Sequence, residues 1–472
     1  MASPNISFET IPSSIRVPGR YMEFNTKLAV RNLPVNPQHV LIVAPMLESG
    51  TQKPLDPVMV FSDVEAGERF GTGSWAHLMA RQAIRNNEYI NLSIIGLADD
   101  AAAVKAVGKI EIEGSATREG QVIIEIGSES FKIAAQRSEA EKDLCNRLVA
   151  VINGTEDALV IAESTEAGIT LTAKNGGEIG NEIYLSGQSN APGVTIKVGK
   201  MENGQGNVDV SDALTVVAGK RYHIYVSAFS DDENLSRFNE HIESVSNAIE
   251  KRGGVGVAGW NGSFAQGVTK ASKLNSARML LQWHKGSKMG NALIAAGFAA
   301  VMAFEEDPAR PLNTLEIKGL DVTPESQWPT FTEFNNALYN GLSPLQVVNN
   351  RVQIMRAITT YTKNATGTDD PALLDVTTIR TLDYVRDALD QRYALRFPRE
   401  KLSDKTPPKV RSETLDVLMK LEDLEILEQV AENKSLLIVE RDSQDANRLN
   451  LAVPADVVNG LHVLAARIDL YL

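Results

Sequence analysis

Residues Tyr222–Trp283 read YHIYVSAFSDDENLSRFNEHIESVSNAIEKRGGVGVAGWNGSFAQGVTKASKLNSARMLLQW. Three apolar runs stand out, Tyr222–Ala228, Val255–Trp260 and Arg278–Trp283. Each is short and largely apolar at successive positions, the pattern of a strand covered on both faces. Between them Asp231–Arg252 and Ser263–Leu274 read as helices, the first ended by Gly253-Gly254 as a C-cap. Gly290–Phe304 (GNALIAAGFAAVMAF) follows, apolar and rich in small residues. It falls short of the ~20 residues that cross a bilayer and reads as a buried helix. Strand and helix alternating in this way predict a three-layer α/β core, with helices on both faces of the sheet. Val40–Pro45 (strand), Ser74–Asn87 (helix with Ser74 as N-cap) and Asn91–Gly96 (strand) show the same pattern earlier in the chain.

Composition narrows the function classes. The chain has 472 residues, a net charge of -13 and one cysteine, Cys145. Length predicts two to four domains. An acidic chain without a Lys/Arg run is a poor nucleic-acid binder, because that affinity comes mainly from neutralising phosphates. A single cysteine excludes an intrachain disulfide and a cysteine-based metal cage. No stretch has the length of a membrane span, and the first residues (MASPNISFET) lack a basic and an apolar signal region. A cytoplasmic origin is the expectation.

Two interruptions break the α/β pattern. From Ala103 to about residue 214, short alternating segments such as Lys109–Glu113, Gln121–Ile126, Gly168–Ala173 and Gly193–Val198 are separated by Gly/Asn/Ser turns, with one helix at Ser138–Ile152. These predict an inserted β-sandwich-like domain. The last third reads as α+β: a helix at Thr330–Asn340, an alternating strand at Arg351–Thr362, and long helices at Val376–Leu395 and Ser412–Glu432 joined by a proline-containing loop. A strand at Ser435–Arg441 comes next. The predicted organisation is an N-terminal arm (1–25), a core (26–102 and 215–330), the insertion (103–214), a C-terminal domain (331–447) and a C-terminal strand arm (448–472).

Both ends of the chain have an extended, apolar-studded character. At one end Leu464, Ala466, Ile468, Leu470 and Leu472 alternate with Arg467 and Asp469, the period of a half-buried strand. At the other, Ser7–Phe24 contains two prolines, has no helical period, and carries Ile15, Val17, Tyr21 and Phe24. A strand must satisfy its backbone donors and acceptors, either in its own domain or by completing a sheet in another copy.

Few residues suggest chemistry. Gly254, Gly256 and Gly259 match the spacing of a dinucleotide fingerprint, but a helix precedes them and a strand contains them, the reverse of what that motif requires. The six histidines have no metal-ligand spacing. Asp231-Asp232-Glu233 opens a helix, where negative charge complements the helix dipole. Lys401–Arg411 reads as a solvated basic loop, and Cys145 as a packing residue. No catalytic, cofactor-binding or metal-binding residue is expected.

Four stretches, in order, carry a resemblance. They are SFETIPSSIRVPGRYMEF from Ser7, Asp307–Leu315 (DPARPLNTL) with Lys318-Gly-Leu320, Tyr339–Leu345 with Val352–Tyr361, and the ending Arg467–Leu472. As a set they resemble the sheath proteins of contractile phage tails, in particular the Mu-like branch. The resemblance implies a structural, non-enzymatic subunit of a virion tail. Such subunits form stacked hexameric rings around an inner tail tube protein, between baseplate and tail terminator proteins, with no nucleic acid bound and no membrane insertion. It also implies a core like subtilisin but without the triad, an outward-facing insertion, and arms that add strands to neighbouring subunits. Ile15, Val17, Tyr21, Phe24, Leu464, Ile468, Leu470 and Leu472 are the expected arm residues. The alternative reading is an α/β hydrolase or nucleotide-binding enzyme with an accessory β domain, resting on Gly254, Gly256 and Gly259.

Overall fold

A parallel sheet assembled from both sides of the insertion frames the larger part of the chain. The computed structural model describes residues 15–22, 33–166 and 168–471. These divide into two compact units. The larger comprises Asn36–Arg386, Glu425–Glu428 and Ala455 onward, and the smaller comprises Asp387–Leu424 and Gln429–Pro454 with the described residues before Asn36.

In the larger unit the elements run β1 (His39–Pro45), β2 (Val58–Met59), α1 (Asp63–Phe70), α2 (Trp75–Asn86) and β3 (Asn91–Leu97). The insertion supplies β4 (Lys105–Glu113), β5 (Gly120–Ile126), β6 (Glu129–Ala135), α3 (Glu141–Asn153), β7 (Val160–Thr165), β8 (Gly168–Gly176), β9 (Leu185–Ser189) and β10 (Thr195–Val198). Then come α4 (Ser211–Val217), β11 (Ile224–Ser227), α5 (Asp232–Ser246), β12 (Val255–Trp260), α6 (Phe264–Leu274), β13 (Met279–Trp283), α7 (Asn291–Phe304), α8 (Phe331–Tyr339), β14 (Ser343–Val348) and β15 (Arg351–Ile354).

The main sheet has the order β15-β14-β13-β12-β11-β1-β3-β2. Its central strands are parallel, with Ile42 level with Val226 on one side and Ile94 on the other. The outermost pairs, β14–β15 and β2–β3, are antiparallel. Leu41, Ile42, Ile94, Tyr225, Val226, Leu280 and Leu281 are wholly buried, which is why these runs lack polar alternation. Asn291 through Ala303 of α7 are also buried, packed against α2 and the strands, so a helix with no polar face is satisfied without a membrane.

The insertion forms two small antiparallel sheets, β10-β4-β8-β7 and β6-β5-β9, with α3 packed on β6 and β7. Strands here alternate buried and exposed, as β4 and β6 do residue by residue. The sheets approach closely at Gly187, where an added Cβ would lie 2.8 Å from the side chains of both Ile196 and Val198. Polar bonds fasten the insertion to the core. Asn175 Nδ2 donates to the Met46 carbonyl at 2.9 Å, the Gly176 amide donates to Asp99 at 2.6 Å, and Arg81 pairs with Asp157 at 2.7 Å. Glu182 accepts from Ser230 Oγ at 2.8 Å and from the Asn291 amide at 3.2 Å, and its burial pushes the carboxyl pKa up.

Helix α9 (Val376–Arg396) begins in the larger unit and ends in the smaller, which adds α10 (Thr406–Asp423), α11 (Val430–Asn433), β16 (Ile438–Arg441) and β17 (Leu449–Ala452). Arg392 holds α9 to α10 through Glu413 (3.0 Å) and Asp416 (2.6 Å), and Tyr393 bonds Thr414 at 2.7 Å. Arg411 donates to the carbonyls of Lys434 (2.7 Å) and Leu437 (3.2 Å), placing the start of β16 beside α10.

Several boundaries differ from the sequence reading, each for a local reason. Helix α5 stops at Ser246 because the Asn247 side chain accepts from the amides of Ile249 and Glu250, both at 2.8 Å, and starts a new turn. Gly253 and Gly254 therefore cap nothing. A Cβ on Gly253 would overlap the Asp383 carboxylate, which Arg278 holds at 2.7 and 3.0 Å. Pro407 and Pro408 are not in a loop but in the first turn of α10, where a missing N–H costs nothing. That helix ends at Asp423, well before Glu432. The strand expected over Arg351–Thr362 stops at Ile354. Residues assigned to the C-terminal arm from 448 include β17, which pairs with β16 in the same chain.

Candidate assembly surface

Among the described residues the terminal alternation pairs with no strand. After an antiparallel bridge between Leu427 and Val457, no described residue beyond Val457 belongs to a strand or helix. Val463 through Tyr471 are all exposed, Ile468 at 95% and Leu470 at 82%. Leu464 is exposed as well. The period-2 pattern is intact: Leu464, Ile468 and Leu470 share one face, and Arg467 and Asp469 share the other, joined by a 2.7 Å bond. Of the two ways such a strand could be satisfied, in its own domain or in another copy, pairing in its own domain is absent among the described residues. Apolar side chains at alternate positions are the pattern of a half-buried strand, and here they face solvent.

At the other end Ile15, Val17 and Tyr21 are exposed, outside any strand or helix, and the Tyr21 hydroxyl donates to the Val17 carbonyl at 3.0 Å. Phe24 and Leu472 lie outside the described residues.

The smaller unit contains a small sheet of its own. β16 and β17 form a two-stranded antiparallel sheet, Ile438 opposite Ala452 and Arg441 opposite Leu449. Each strand is paired on one side only among the described residues. The sheet's turn is rigid: Asp442 accepts from the side-chain amide of Asn450 (2.8 Å) and from the backbone amides of Gln444 (2.8 Å) and Asp445 (3.0 Å). These bonds hold the Asp442 carboxyl at about 2. Two strands alone are marginal in water, and two open edges leave rows of donors and acceptors for added strands. Sequence reading missed β17 because its short alternation merges with the arm's. The signal was the Asp/Asn-rich turn Asp442–Arg448 between two apolar alternations.

The residues that could have supported chemistry have structural roles. Gly256 and Gly259 lie within β12, level with Met279 and Gln282 of β13, and form no phosphate-cradling loop. A Cβ on Gly256 would press on Met279 and, at 2.7 Å, on Ile242; one on Gly259 would overlap the Asn291 backbone where α7 begins. Asp231 caps α5 by accepting from the Asn234 amide at 2.9 Å, and Asp232 pairs with Lys270 (2.9 Å) and Lys273. Cys145 is buried, and burial, with Glu141 nearby, pushes its thiol pKa up, away from reactivity. Burial and the charge of Arg221 lower His223 to about 3, and burial with Arg252 lowers His241 to about 4. In the Lys401–Arg411 segment, Lys409 pairs with Glu400 at 2.7 Å. Among the described residues no group of three or more His, Cys, Asp or Glu is placed to hold a metal, and no helix is long and apolar enough to cross a membrane.

Comparison with known proteins points the same way. Residues 203–360 match the family model of the phage tail sheath protein central domain, and residues 368–470 that of the phage tail sheath C-terminal domain. The Mu-like prophage FluMu tail sheath protein of Haemophilus influenzae is 31% identical over 488 residues, covering 99% of this chain and 100% of its own. The sheath tail protein of Desulfitobacterium hafniense shares the fold at 14% identity and a TM-score of 0.54, over 94% of this chain and 97% of its own. A sheath protein from an extracellular contractile injection system, PVC, in the contracted state, does so at 10% identity and a TM-score of 0.51, over 97% and 98%.

Proposed function

The chain belongs to the phage tail sheath family, and from that premise we propose that it is the repeating structural subunit of a contractile sheath, not an enzyme. Subunits form stacked hexameric rings around an inner tail tube, joined at the ends to baseplate and terminator proteins. Shortening of the sheath drives the tube through the target envelope. The core is of the subtilisin type without its triad, and the 103–214 insertion faces outward.

One observation carries this reading: an exposed segment of alternating apolar residues near the carboxy terminus, outside any strand, together with a β16–β17 sheet whose two edges are open among the described residues. The strand of one subunit adds to the sheet of the next, and the amino-terminal segment takes the other edge. The energetics favour assembly only in company. About six backbone hydrogen bonds at ~1 kcal/mol each and about five apolar side chains at ~1.5–3 kcal/mol each give roughly 15–20 kcal/mol. Ordering ~10 residues costs roughly 10–20 kcal/mol. The two nearly cancel, so arm docking stabilises a subunit only when ring contacts form as well. During contraction the bodies repack as rigid units while the strand links persist as hinges.

Negative-stain electron microscopy of the purified chain over a range of protein and salt concentrations tests the reading. Hollow tubes of regular pitch are expected, and a chain truncated before Ala465 should remain folded without forming them. A truncated chain that assembles as well as the intact one refutes the arm's role.

A further inference from the structure

The free strand starts from a fixed root. The Glu428 amide donates to the Asp456 carbonyl at 2.9 Å, and the Val458 amide to the Ile426 carbonyl at 3.3 Å. Two residues on, a Cβ at Gly460 would lie 2.6 Å from Pro311 Cγ, so only glycine lets the chain pass that close. His462 follows, its side chain 14% exposed. Its Nδ1 lies 2.9 Å from Asn313 Nδ2, and its Nε2 lies 3.4 Å from Asp375 Oδ1. Asp375 is itself fixed by Arg356 through bonds of 2.9 and 2.7 Å. From Val463 on every described residue is exposed. Asn459 and Leu461 are exposed as well, so Gly460 and His462 are the last points at which the chain is held.

Pro311 and Asn313 belong to Asp307–Leu315, a stretch to which none of the assembly contacts above assigns a role. We propose that this stretch is the cradle of the carboxy-terminal arm and that His462 is its positioning residue, setting the point and direction from which Val463–Tyr471 leave the subunit. The proposal rests on the sheath reading and adds to it a determinant of arm reach. Released at His462, the extended arm spans on the order of 30 Å at ~3.3 Å per residue; released at Val458 it would gain roughly 13 Å more and lose its heading. A longer, undirected tether lowers the effective concentration of the strand at its acceptor edge.

The test compares the full-length chain with His462→Ala, His462→Gln and Asn313→Ala. Amide exchange is followed on the dispersed protein, and the critical concentration for tube formation is measured alongside. In the parent chain protection should end at His462. His462→Ala and Asn313→Ala should speed exchange of residues 456–462 at least tenfold, with melting temperature unchanged. They should also raise the critical concentration several-fold and broaden the distribution of tube pitch. His462→Gln, which keeps a polar group facing Asn313 and Asp375, should recover most of both. Exchange already fast from Ala455 in the parent, or unaltered exchange and assembly in both alanine variants, overturns the proposal. A parent chain that forms no tubes counts against the sheath reading instead, and the exchange step at His462 still decides the root.

Discussion

Replacing Ile468 with alanine separates the stability of the subunit from that of the assembly. Ile468 is 95% exposed, so in the isolated chain the substitution removes no packed contact. Its effect there should stay within ~0.5 kcal/mol, a melting shift under about 2 °C. Docked on the open edge of another subunit's β16–β17 sheet, the same side chain is covered on one face. Burying an isoleucine stabilises by ~1.5–3 kcal/mol, and we take about 2 kcal/mol for this half-covered site. In the proposed assembly each subunit donates one carboxy-terminal strand, so the loss recurs with every subunit added. At 1.4 kcal/mol per decade the critical concentration should rise roughly 30-fold. Pelleting of serial dilutions, with electron microscopy of the pellet, reads this directly. Arg467→Ala, on the opposite face, is the control and should shift it by less than about threefold. A melting point lowered by 5 °C or more would mean that Ile468 packs in its own chain. An unchanged critical concentration would mean that the strand links nothing. Either result refutes the reasoning.

Two other outcomes follow from the core. Gly259→Ala places a methyl group against the Asn291 backbone, which cannot swing aside as a side chain would, so α7 must shift. The expected loss is about 3 kcal/mol in chemical denaturation, and a loss below ~1 kcal/mol would contradict the close approach. The second concerns acid. His223 titrates at about 3 and His241 at about 4 when folded, against an ordinary value of 6.5. Protonation therefore favours the unfolded chain. The neutral rings' contribution is fully present above pH 6.5 and is lost as pH falls from there toward 4. At pH 5 the His223 share is about 2 kcal/mol at 1.36 kcal/mol per unit, and His241, more exposed, contributes less. Asp375 sits elsewhere: burial pushes it up, but bonds from His462 and Arg356 prevail and hold it at about 2. Its contribution is present above 3.8 and fails only below that. Melting temperature should fall steadily from pH 7 to 5, less steeply in His223→Gln; a flat profile argues against the buried neutral ring.

How much of this was legible in the sequence depends on where each pattern gets its partner. β11, β12, β13 and α7 were readable because burial on all sides leaves apolar runs with no ambiguity of face. Ser74, Asp231 and Thr330 were readable as helix starts because each cap bond is local, made to an amide three residues on. The placement of β1 between β3 and β11, across the whole insertion, was not, because pairing over that distance leaves no mark in either strand. For the arms, period 2 announced a strand without saying whose sheet it joins. Leu464, Ile468 and Leu470 are exposed in the subunit, and β16 and β17 each have an open edge among the described residues, which is where the assembly proposed above places the strand.

The Arg467–Asp469 pair has a consequence for the subunit before it assembles. An apolar, alternating, fully exposed strand is the kind of segment that nucleates cross-β aggregates when many copies meet at high concentration. Here opposite charges, bonded to each other, separate the apolar run Val463–Ala466 from Leu470–Leu472 and flank Ile468 on both sides, which disfavours a dry surface for a second sheet to stack on. The strand is left adhesive on one side and wetted on the other. In the assembly proposed above, the segment that links subunits into an ordered tube is thereby kept from seeding a disordered fibre.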